Sequence, residues 1–246
     1  MTFADHFSGH ADVYARFRPT YPDTLFDWLA TQVPRDAVVW DCATGNGQAA
    51  TSLAARFSEV FATDASAQQI AAADARPNIH YGVAGAEDSG LPAQSVDLVT
   101  VAQALHWFDH TAFATEVQRV LRPGGLVVAW CYELYSITPE IDAPMLHLCH
   151  DIVGADWPPE RRYIETGYAD IPWPWPKIAT PTFSMAAQWS VEQTLGYLRS
   201  WSASKRWQAR EGSDPVALIE TDLRRAWGPD ETRLATWPLR MLVSRV

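Results

Sequence analysis

Hydrophobic and polar positions in the first 130 residues form an alternation of short apolar runs and longer segments with helical spacing. The apolar runs predict strands at residues 38–40, 60–63, 79–83, 96–102 and 126–130. The segments between them predict helices at residues 48–57, 67–75 and 111–121. Buried parallel strands read as near-continuous apolar runs, and strand–helix alternation is typical of βαβ units. The pattern therefore predicts a mostly parallel sheet covered by helices.

The pattern changes after residue 132, where proline becomes frequent and includes Pro-Trp-Pro-Trp-Pro at residues 172–176. Because proline neither donates to a ladder nor continues a helix, residues 133–190 are expected to form loops and short helices over the sheet edge. The later elements that the sequence predicts are helices beginning at Ser190 and Asp214 and strands at 232–237 and 239–246. We predict an α/β fold with a doubly wound, mostly parallel, seven-stranded Rossmann-like sheet, an antiparallel C-terminal hairpin and a lid inserted after strand five.

Composition narrows the class of protein. The chain has 246 residues, enough for one domain with an insertion, and a formal net charge of −10. Phosphate and anionic lipid contacts need clustered cations, so we expect neither a nucleic acid nor a membrane as partner. No apolar run approaches the roughly 20 residues that span a bilayer, and the first residues lack the pattern of a secretory signal. Three dispersed cysteines favour a reducing environment, so we expect a cytoplasmic protein, as a monomer or a homodimer.

The sharpest local signal is the segment Asp-Cys-Ala-Thr-Gly-Asn-Gly at residues 41–47, directly after the first predicted strand and before a helix. Small residues there allow a tight turn and close approach of a ligand to the backbone. Asp64 ends the second predicted strand, where a carboxylate can accept hydrogen bonds from both ribose hydroxyls of a nucleoside. Together these features predict a nucleoside-bearing cofactor at the carboxyl ends of the strands.

Two cofactors are compatible with this loop. The spacing Gly45-x-Gly47-x-x-Ala50 also satisfies the dinucleotide fingerprint, so an NAD-dependent oxidoreductase stays an alternative. Against it, the Asp41 carboxylate would repel a pyrophosphate but suits a cofactor with an amino group and a sulfonium cation. The sequence contains no Tyr-x-x-x-Lys set for hydride chemistry. The balance favours S-adenosylmethionine.

Further motifs follow the loop in a fixed order. They are Asp64, Ala86-Glu87 before Leu91-Pro92, Ser-Val-Asp-Leu-Val at 95–99 and Leu-Arg-Pro-Gly-Gly at 121–125. This set resembles the class I S-adenosylmethionine-dependent methyltransferases of the type 11 group. The opening FSGHADVYARFRPTYP, the ALHWFD of residues 104–109, the SWSA of residues 200–203 and the ending WPLRMLVSRV resemble the trans-aconitate methyltransferase-like subgroup.

The resemblance implies a single methyltransferase domain and a set of cofactor contacts. Its segments would be a cofactor-covering N-terminus (1–34), the core (35–132), a substrate lid (133–210) and a C-terminal helix and strands (211–246). The residues implied to bind the cofactor are Asp41, Ala43, Gly45, Gly47, Asp64, Ala65, Ala86, Glu87, Gln103, Ala104, Tyr14, Arg18 and Tyr21. Two positions depart from the family pattern. Ala43 replaces a glycine, which is tolerable if φ is not positive there, and Gly85 replaces an aspartate that contacts adenine.

The chemistry that the resemblance implies is transfer of a methyl group to a small-molecule acceptor, which the sequence suggests is a carboxylic acid. His106 is the candidate base near the end of strand four, although a structural role is equally compatible. Trp107 and Trp201, with other tryptophans of the second half, are candidates for the acceptor wall. Arg161, Arg162, Arg199 and Arg206 are candidates to pair an acidic acceptor if they point inward. No metal is expected, and a cofactor-binding protein without transfer activity stays a third alternative.

Overall fold

The computed structural model describes residues 20–246 of the chain. Its strands are β1 (Val38–Cys42), β2 (Glu59–Asp64), β3 (Ile79–Val83), β4 (Val96–Ala102), β5 (Leu121–Cys131), β6 (Ser184–Trp189), β7 (Arg233–Pro238) and β8 (Arg240–Arg245). Its α-helices are α1 (Asp23–Gln32), α2 (Gln48–Ala54), α3 (Ala67–Ala71), α4 (His110–Val120), α5 (Pro139–His147), α6 (Arg161–Glu165), α7 (Val191–Ser200), α8 (Ser202–Glu211) and α9 (Ala217–Trp227). A 3₁₀ turn (Leu105–Trp107) follows β4, and a π-helical turn (Leu148–Ile152) and a second 3₁₀ turn (Gly154–Asp156) follow α5.

The main sheet has the strand order β3-β2-β1-β4-β5-β8 within the described residues. Its first five strands are parallel, and β8 pairs antiparallel with β5. This confirms the doubly wound, mostly parallel α/β fold. The sheet has six strands and not the predicted seven, because β7 leaves it and pairs antiparallel with β6 in a separate two-stranded sheet. Pro238, which cannot donate to a ladder, lies at the break between β7 and β8.

Side chains that alternate along the strands build a core on each face of the sheet. On β1, Val39 packs in one buried cluster and Trp40 in the other, as the two-residue period of a strand requires. The first cluster joins the sheet to α1, α2 and the later helices, and the second joins it to Phe113 and Val117 of α4. The sheet is therefore covered on both faces, which holds the carboxyl ends of its parallel strands at one fixed edge.

Element ends differ from the sequence expectation in ways that local chemistry explains. The predicted helix at 67–75 ends at Ala71, and Ser66 caps its start by accepting from the backbone N–H of Gln69. Strand β5 starts at Leu121, before Pro123-Gly124-Gly125, although these residues were expected to lie in the turn into the strand. The pairing of β4 with β5 shifts register between Val96 and Leu98, so the turn residues occupy an irregular strand start.

Residues 133–210, called the lid below, contain more regular structure than the proline content predicts. Helices α5, α6 and α7 and all but the last residue of α8 lie in this segment together with β6. Pro139 stands at the start of α5, where a missing N–H costs nothing, and Thr138 caps that helix. Among the residues that the structure describes, no helix has the length and apolar character to cross a bilayer.

Candidate functional site

A cavity of about 630 Å³ lies at the carboxyl ends of β1, β2, β4 and β5, where the strand order reverses between β1 and β4. Open α/β sheets bind ligands at such a switch point, and the volume is in the range of small-molecule sites. One side of the cavity is the loop after β1, and the opposite side is the lid. The sequence-predicted residues that the structure brings together on its wall are Tyr21, Ala43, Gly45, Gly47, Asp64, Gln103, Ala104, His106, Trp107 and Trp201.

The loop between β1 and α2 takes left-handed backbone conformations at three positions. Ala43 has φ +54°, Gly45 +59° and Gly47 +88°. A Cβ added to Gly47 would lie 2.4 Å from the hydroxyl oxygen of Tyr81, so a side chain there would force Tyr81 to shift. The condition under which an alanine would be tolerated without strain at position 43, a φ that is not positive, is not met. A residue with a Cβ holds a left-handed conformation at this position, which costs about 1–2 kcal/mol.

Asp64 connects the end of β2 to the glycine loop. Its Oδ2 accepts from the backbone N–H of Gly45 at 2.9 Å, and its Oδ1 accepts from the backbone N–H of Ser66 at 2.8 Å. These two contacts, one to each carboxylate oxygen, fix the orientation of the carboxylate. Asp64 thus lines the cavity as an oriented anion.

Asp41 lies behind the cavity wall and not on it. Its side chain has no exposed surface, and its carboxylate accepts from the hydroxyl groups of Thr44 at 2.6 Å and Thr100 at 2.8 Å. Burial raises the pKa of Asp41 from 3.8 to about 6, while the two hydroxyl groups act against the increase. Thr44 does line the cavity. The structure therefore gives Asp41 no direct contact with the cavity, and its oxygens instead hold the loop against β4.

The segment after β4 forms the floor between the two halves of the cavity. Gln103 has φ +56°, and its side-chain amide exchanges two hydrogen bonds with the backbone of Tyr132, at 3.0 Å and 2.8 Å. These bonds clamp the ends of β4 and β5 together. Ala104, next in the chain, lines the cavity without a bulky side chain.

His106 lies in the 3₁₀ turn after β4 and has a relative exposure of only 6%. Its Nδ1 lies 3.2 Å from the hydroxyl oxygen of Tyr168, a fully buried residue of the lid. The imidazole also packs against the ring of Trp107, with 4.7 Å between the ring centroids. His106 is thus held between the sheet edge and the lid, on the wall of the cavity.

Aromatic rings form much of the lid side of the cavity. Trp157 and Trp201 contact each other with 5.4 Å between centroids, and Tyr197 packs edge-on to Trp201 at 6.0 Å. All three rings line the cavity with Trp107. The other tryptophans considered for this wall pack elsewhere: Trp189 contacts Trp237, and Trp173 donates to the hydroxyl group of Ser244 on β8.

Of the four arginines that the sequence offered as partners for an acidic acceptor, Arg161 lines the cavity. It has 9% relative exposure, its guanidinium lies 3.8 Å from the ring centroid of Trp157, and its Nε donates to Glu165. Arg162 is exposed, Arg199 pairs with Asp214 and Glu220, and Arg206 donates to the backbone of Asp156.

Three further charged residues on the wall, Asp74, Glu133 and Lys205, were not found from the sequence. Lys205 of α8 lines the cavity, and burial lowers the pKa of its amine. Glu133 lies just after β5, where burial raises the pKa of its carboxyl and Arg161 opposes the increase. Position after a parallel strand could have indicated Glu133, but no local pattern marks Lys205.

Four predicted cofactor residues do not line the cavity formed by residues 20–246. Besides Asp41, they are Ala65, Ala86 and Glu87. Ala65 is exposed beside Asp64, Ala86 is buried in the second core cluster, and Oε1 of Glu87 accepts from the backbone N–H of Asp109. Tyr14 and Arg18 lie outside the described residues. Within that described part, no group of three His, Cys, Asp or Glu side chains could hold a metal ion.

Comparisons with known proteins agree with this geometry. A family model described as a methyltransferase domain matches residues 40–129, from β1 to β5. A protein of Dictyostelium discoideum that is named as a methyltransferase is 34% identical over 252 residues, covering 99% of this chain and 95% of the relative. The chain belongs to the methyltransferase family. It is a class I enzyme that uses S-adenosylmethionine as methyl donor.

Solved structures agree with the assignment. A chain from Anaeromyxobacter dehalogenans, described as a type II methyltransferase, is 42% identical to this methyltransferase, with a TM-score of 0.87 over 93% of this chain and 97% of that chain. A chain from Anabaena variabilis, described as a methyltransferase from an antibiotic biosynthesis pathway, shares the fold at 17% identity, with a TM-score of 0.56 over 91% and 98% of the two chains. The oxidoreductase alternative is therefore wrong.

The residues of the methyltransferase fit this cofactor. The left-handed conformations of Gly45 and Gly47 place the loop backbone on the cavity wall, and Asp64 presents an oriented carboxylate beside it. Asp74 also lines this half, so the wall carries two carboxyl groups, which suit a cofactor of net positive charge. A dinucleotide would instead bring two phosphate charges against the same carboxylates.

Proposed function

We propose that this methyltransferase transfers the methyl group of S-adenosylmethionine to a small-molecule acceptor that carries a carboxylate, and that the product is a methyl ester. The observation that carries the proposal is Arg161, a buried cation on the lid side of the cavity. A buried guanidinium is stabilised by an anion that matches its planar fork. The resemblance of the chain ends to the trans-aconitate methyltransferase-like subgroup supports the same acceptor class.

The cofactor would lie along the half of the cavity that the glycine loop forms. Gly45 and Gly47 would allow the methionine part to approach the backbone, and Asp64 would accept from the ribose hydroxyls. Gln103 and Ala104 would lie beside the methionyl end, and Tyr21 would close the wall from the side of α1. The predicted cofactor contacts of Tyr14 and Arg18 stay part of the proposal and lie outside the described residues.

The protein supplies alignment and exclusion of water. When bound, S-adenosylmethionine supplies an electrophilic methyl group on a sulfonium, so the chain need not activate the donor. A carboxylate is ionised at neutral pH and needs no base, since its usual pKa is about 4. The aromatic wall of Trp157, Tyr197 and Trp201 would exclude water and hold the apolar part of the acceptor.

Charge is distributed along the cavity in a way that separates the two ligands. Asp64 and Asp74 lie at the end of the cationic cofactor, whereas Arg161 and Lys205 lie on the lid side, where burial raises the pKa of the carboxyl group of Glu133 and so disfavours its negative charge. Each ligand would therefore find opposite charge in its own half, and the anionic acceptor would be repelled from the cofactor half. This arrangement favours one orientation of the acceptor.

Turnover with methyl-labelled cofactor against matched carboxylic acids, phenols and amines tests the proposal. We expect labelled product from acids, recovered as a base-labile ester. Transfer confined to amines or phenols, or to protein or nucleic acid, would refute the acceptor class.

Arg161→Gln and Arg162→Gln form a matched pair for the same assay, because the two residues are neighbours but only Arg161 faces the cavity. A lost charged hydrogen bond is worth about 1.5–3 kcal/mol, so Arg161→Gln should raise KM for the acid by about 10- to 100-fold. Arg162→Gln should change it less than about twofold, as expected of an exposed cation. Cofactor affinity should be the same in both variants, and an equal effect of the two on KM would contradict the assignment.

A further inference from the structure

His106 and Tyr168 form a hydrogen-bonded pair between the floor of the cavity and the lid. The Nδ1 of His106 lies 3.2 Å from the hydroxyl oxygen of Tyr168. His106 lines the cavity, whereas Tyr168 is fully buried in the second core cluster and does not. Because Nδ1 faces the core, the opposite edge of the imidazole, which carries Nε2, is the part directed toward the cavity.

Tyr168 is held in one position by its backbone and its surroundings. It has φ +66° in the turn after α6, and its backbone N–H donates to the carbonyl oxygen of Tyr163 at 2.7 Å. Burial raises the pKa of its phenol well above the usual value, so the hydroxyl proton is present throughout the neutral range. Its hydroxyl group is thus a fixed partner for Nδ1.

The donor and acceptor strengths of the two groups decide which of them carries the shared proton. A phenol O–H is a stronger hydrogen-bond donor than a neutral imidazole N–H, and an unprotonated imidazole nitrogen is a stronger acceptor than a phenol oxygen. A phenol has one proton to donate, whereas a neutral imidazole has one donor nitrogen and one acceptor nitrogen. The 3.2 Å contact is therefore assigned to the phenol O–H of Tyr168 donating to Nδ1 of His106.

We propose that Tyr168 holds His106 in the tautomer with its proton on Nε2, and that His106 binds the acceptor oxygen as a hydrogen-bond donor and not as a base. A neutral imidazole that accepts at one nitrogen must carry its proton on the other. Tyr168 is then a positioning residue, acting through the imidazole. The proposal rests on the proposed methyl transfer only for the identity of the acceptor; the tautomer itself is a property of this chain.

The tautomer has a consequence for specificity. A base needs an unprotonated nitrogen directed at the acceptor, and Nε2–H does not provide one. An ionised carboxylate gains from a donor, whereas a phenol or alcohol would keep its proton and react poorly. His106 would therefore select acceptors that arrive already ionised.

Nuclear magnetic resonance measures the tautomer without any turnover. Long-range proton–nitrogen spectra of the full chain labelled with ¹⁵N-histidine, assigned with His106→Gln, should show Nδ1 of His106 unprotonated and Nε2 protonated at neutral pH. In Tyr168→Phe, which keeps the ring but removes the hydroxyl group, the form with Nδ1 protonated should become detectable. A proton on Nδ1 in the wild type, or identical spectra in Tyr168→Phe, would overturn the proposal whatever the acceptor is.

Kinetics separate a donor from a base. Gln can place an amide N–H near the position of Nε2, so His106→Gln should retain kcat/KM within about tenfold, while His106→Ala should lose about 10- to 100-fold through KM. The pH profile of kcat/KM should have the same shape in the wild type and His106→Gln. If both variants lose about 10²- to 10⁴-fold in kcat and His106→Gln loses a rising limb of the profile, His106 is a base. If no acid is methylated at all while the spectra show the expected tautomer, the proposed acceptor class is refuted and the tautomer assignment stands.

Discussion

Asp41 should make the stability of the protein depend on pH in a direction opposite to that of an ordinary paired carboxylate. Burial raises its pKa from 3.8 to about 6, against hydrogen bonds from Thr44 and Thr100 that lower it. Each pKa unit corresponds to about 1.4 kcal/mol, so this increase corresponds to about 3 kcal/mol. The folded state is therefore favoured by this group below pH 3.8, and that contribution is lost as the pH rises through about 6.

The substitution Asp41→Asn removes the ionisation and keeps a carbonyl oxygen that can accept from a threonine hydroxyl group. With the two pKa values above, the wild type should lose about 2 kcal/mol of stability relative to the variant between about pH 4.5 and about pH 7.5. Urea unfolding at a series of pH values measures this difference. The comparison of wild type with variant cancels the contributions of the other titrating groups.

Asp36 supplies the control, since it is exposed in the turn before β1. Asp36→Asn should leave the pH dependence of the unfolding free energy close to that of the wild type. Parallel curves for the wild type and Asp41→Asn across the whole range would refute the reasoning. They would mean that Asp41 is no harder to ionise in the folded chain than in the unfolded one.

Three further predictions concern the glycine loop and the helix beyond β4. Ala43→Gly should raise the free energy of unfolding by about 1 kcal/mol, because it relieves a left-handed φ, whereas Ala49→Gly within α2 should lower it by about 1 kcal/mol; urea unfolding measures both. Gly47→Ala should cost about 2 kcal/mol or more and weaken cofactor binding by calorimetry, since its Cβ meets Tyr81, and Tyr81→Phe should restore part of the loss. Asp109→Ala should cost about 1 kcal/mol, because the side chain caps α4 by accepting from two backbone N–H groups; an equal cost for Asp109→Asn would contradict the capping role.

Local patterns were sufficient for the order of elements and for placing the glycine loop and Asp64 at one edge of the sheet. The apolar runs located β1 to β5 to within a few residues, because a buried parallel strand leaves a continuous apolar signature. The glycine loop and Asp64 were found from position alone, since the turn after β1 and the end of β2 lie at the same sheet edge in any doubly wound fold. Their hydrogen bond, from Gly45 to Asp64, follows from that placement.

Strand pairing at the C-terminus could not be derived in the same way. Strands β7 and β8 adjoin in the sequence but take different partners: β7 pairs with β6, which lies within the lid, and β8 pairs with β5, which precedes the lid. An alternating apolar pattern shows that one face of a strand is buried, but it does not show which strand pairs with it. The seventh strand was therefore expected in the main sheet and is found outside it.

The sequence alone determined the class of fold, the strand-end loop and the cofactor type, because these depend on short-range patterns that every residue carries locally. Only the tertiary structure decided that Asp41 lies behind the wall, that Arg161 faces the cavity while Arg162 faces solvent, and that Tyr168 reaches His106. These outcomes depend on how the lid packs across the sheet edge. Burial and hydrogen bonding between residues distant in the chain are properties of that packing, and no local pattern encodes them.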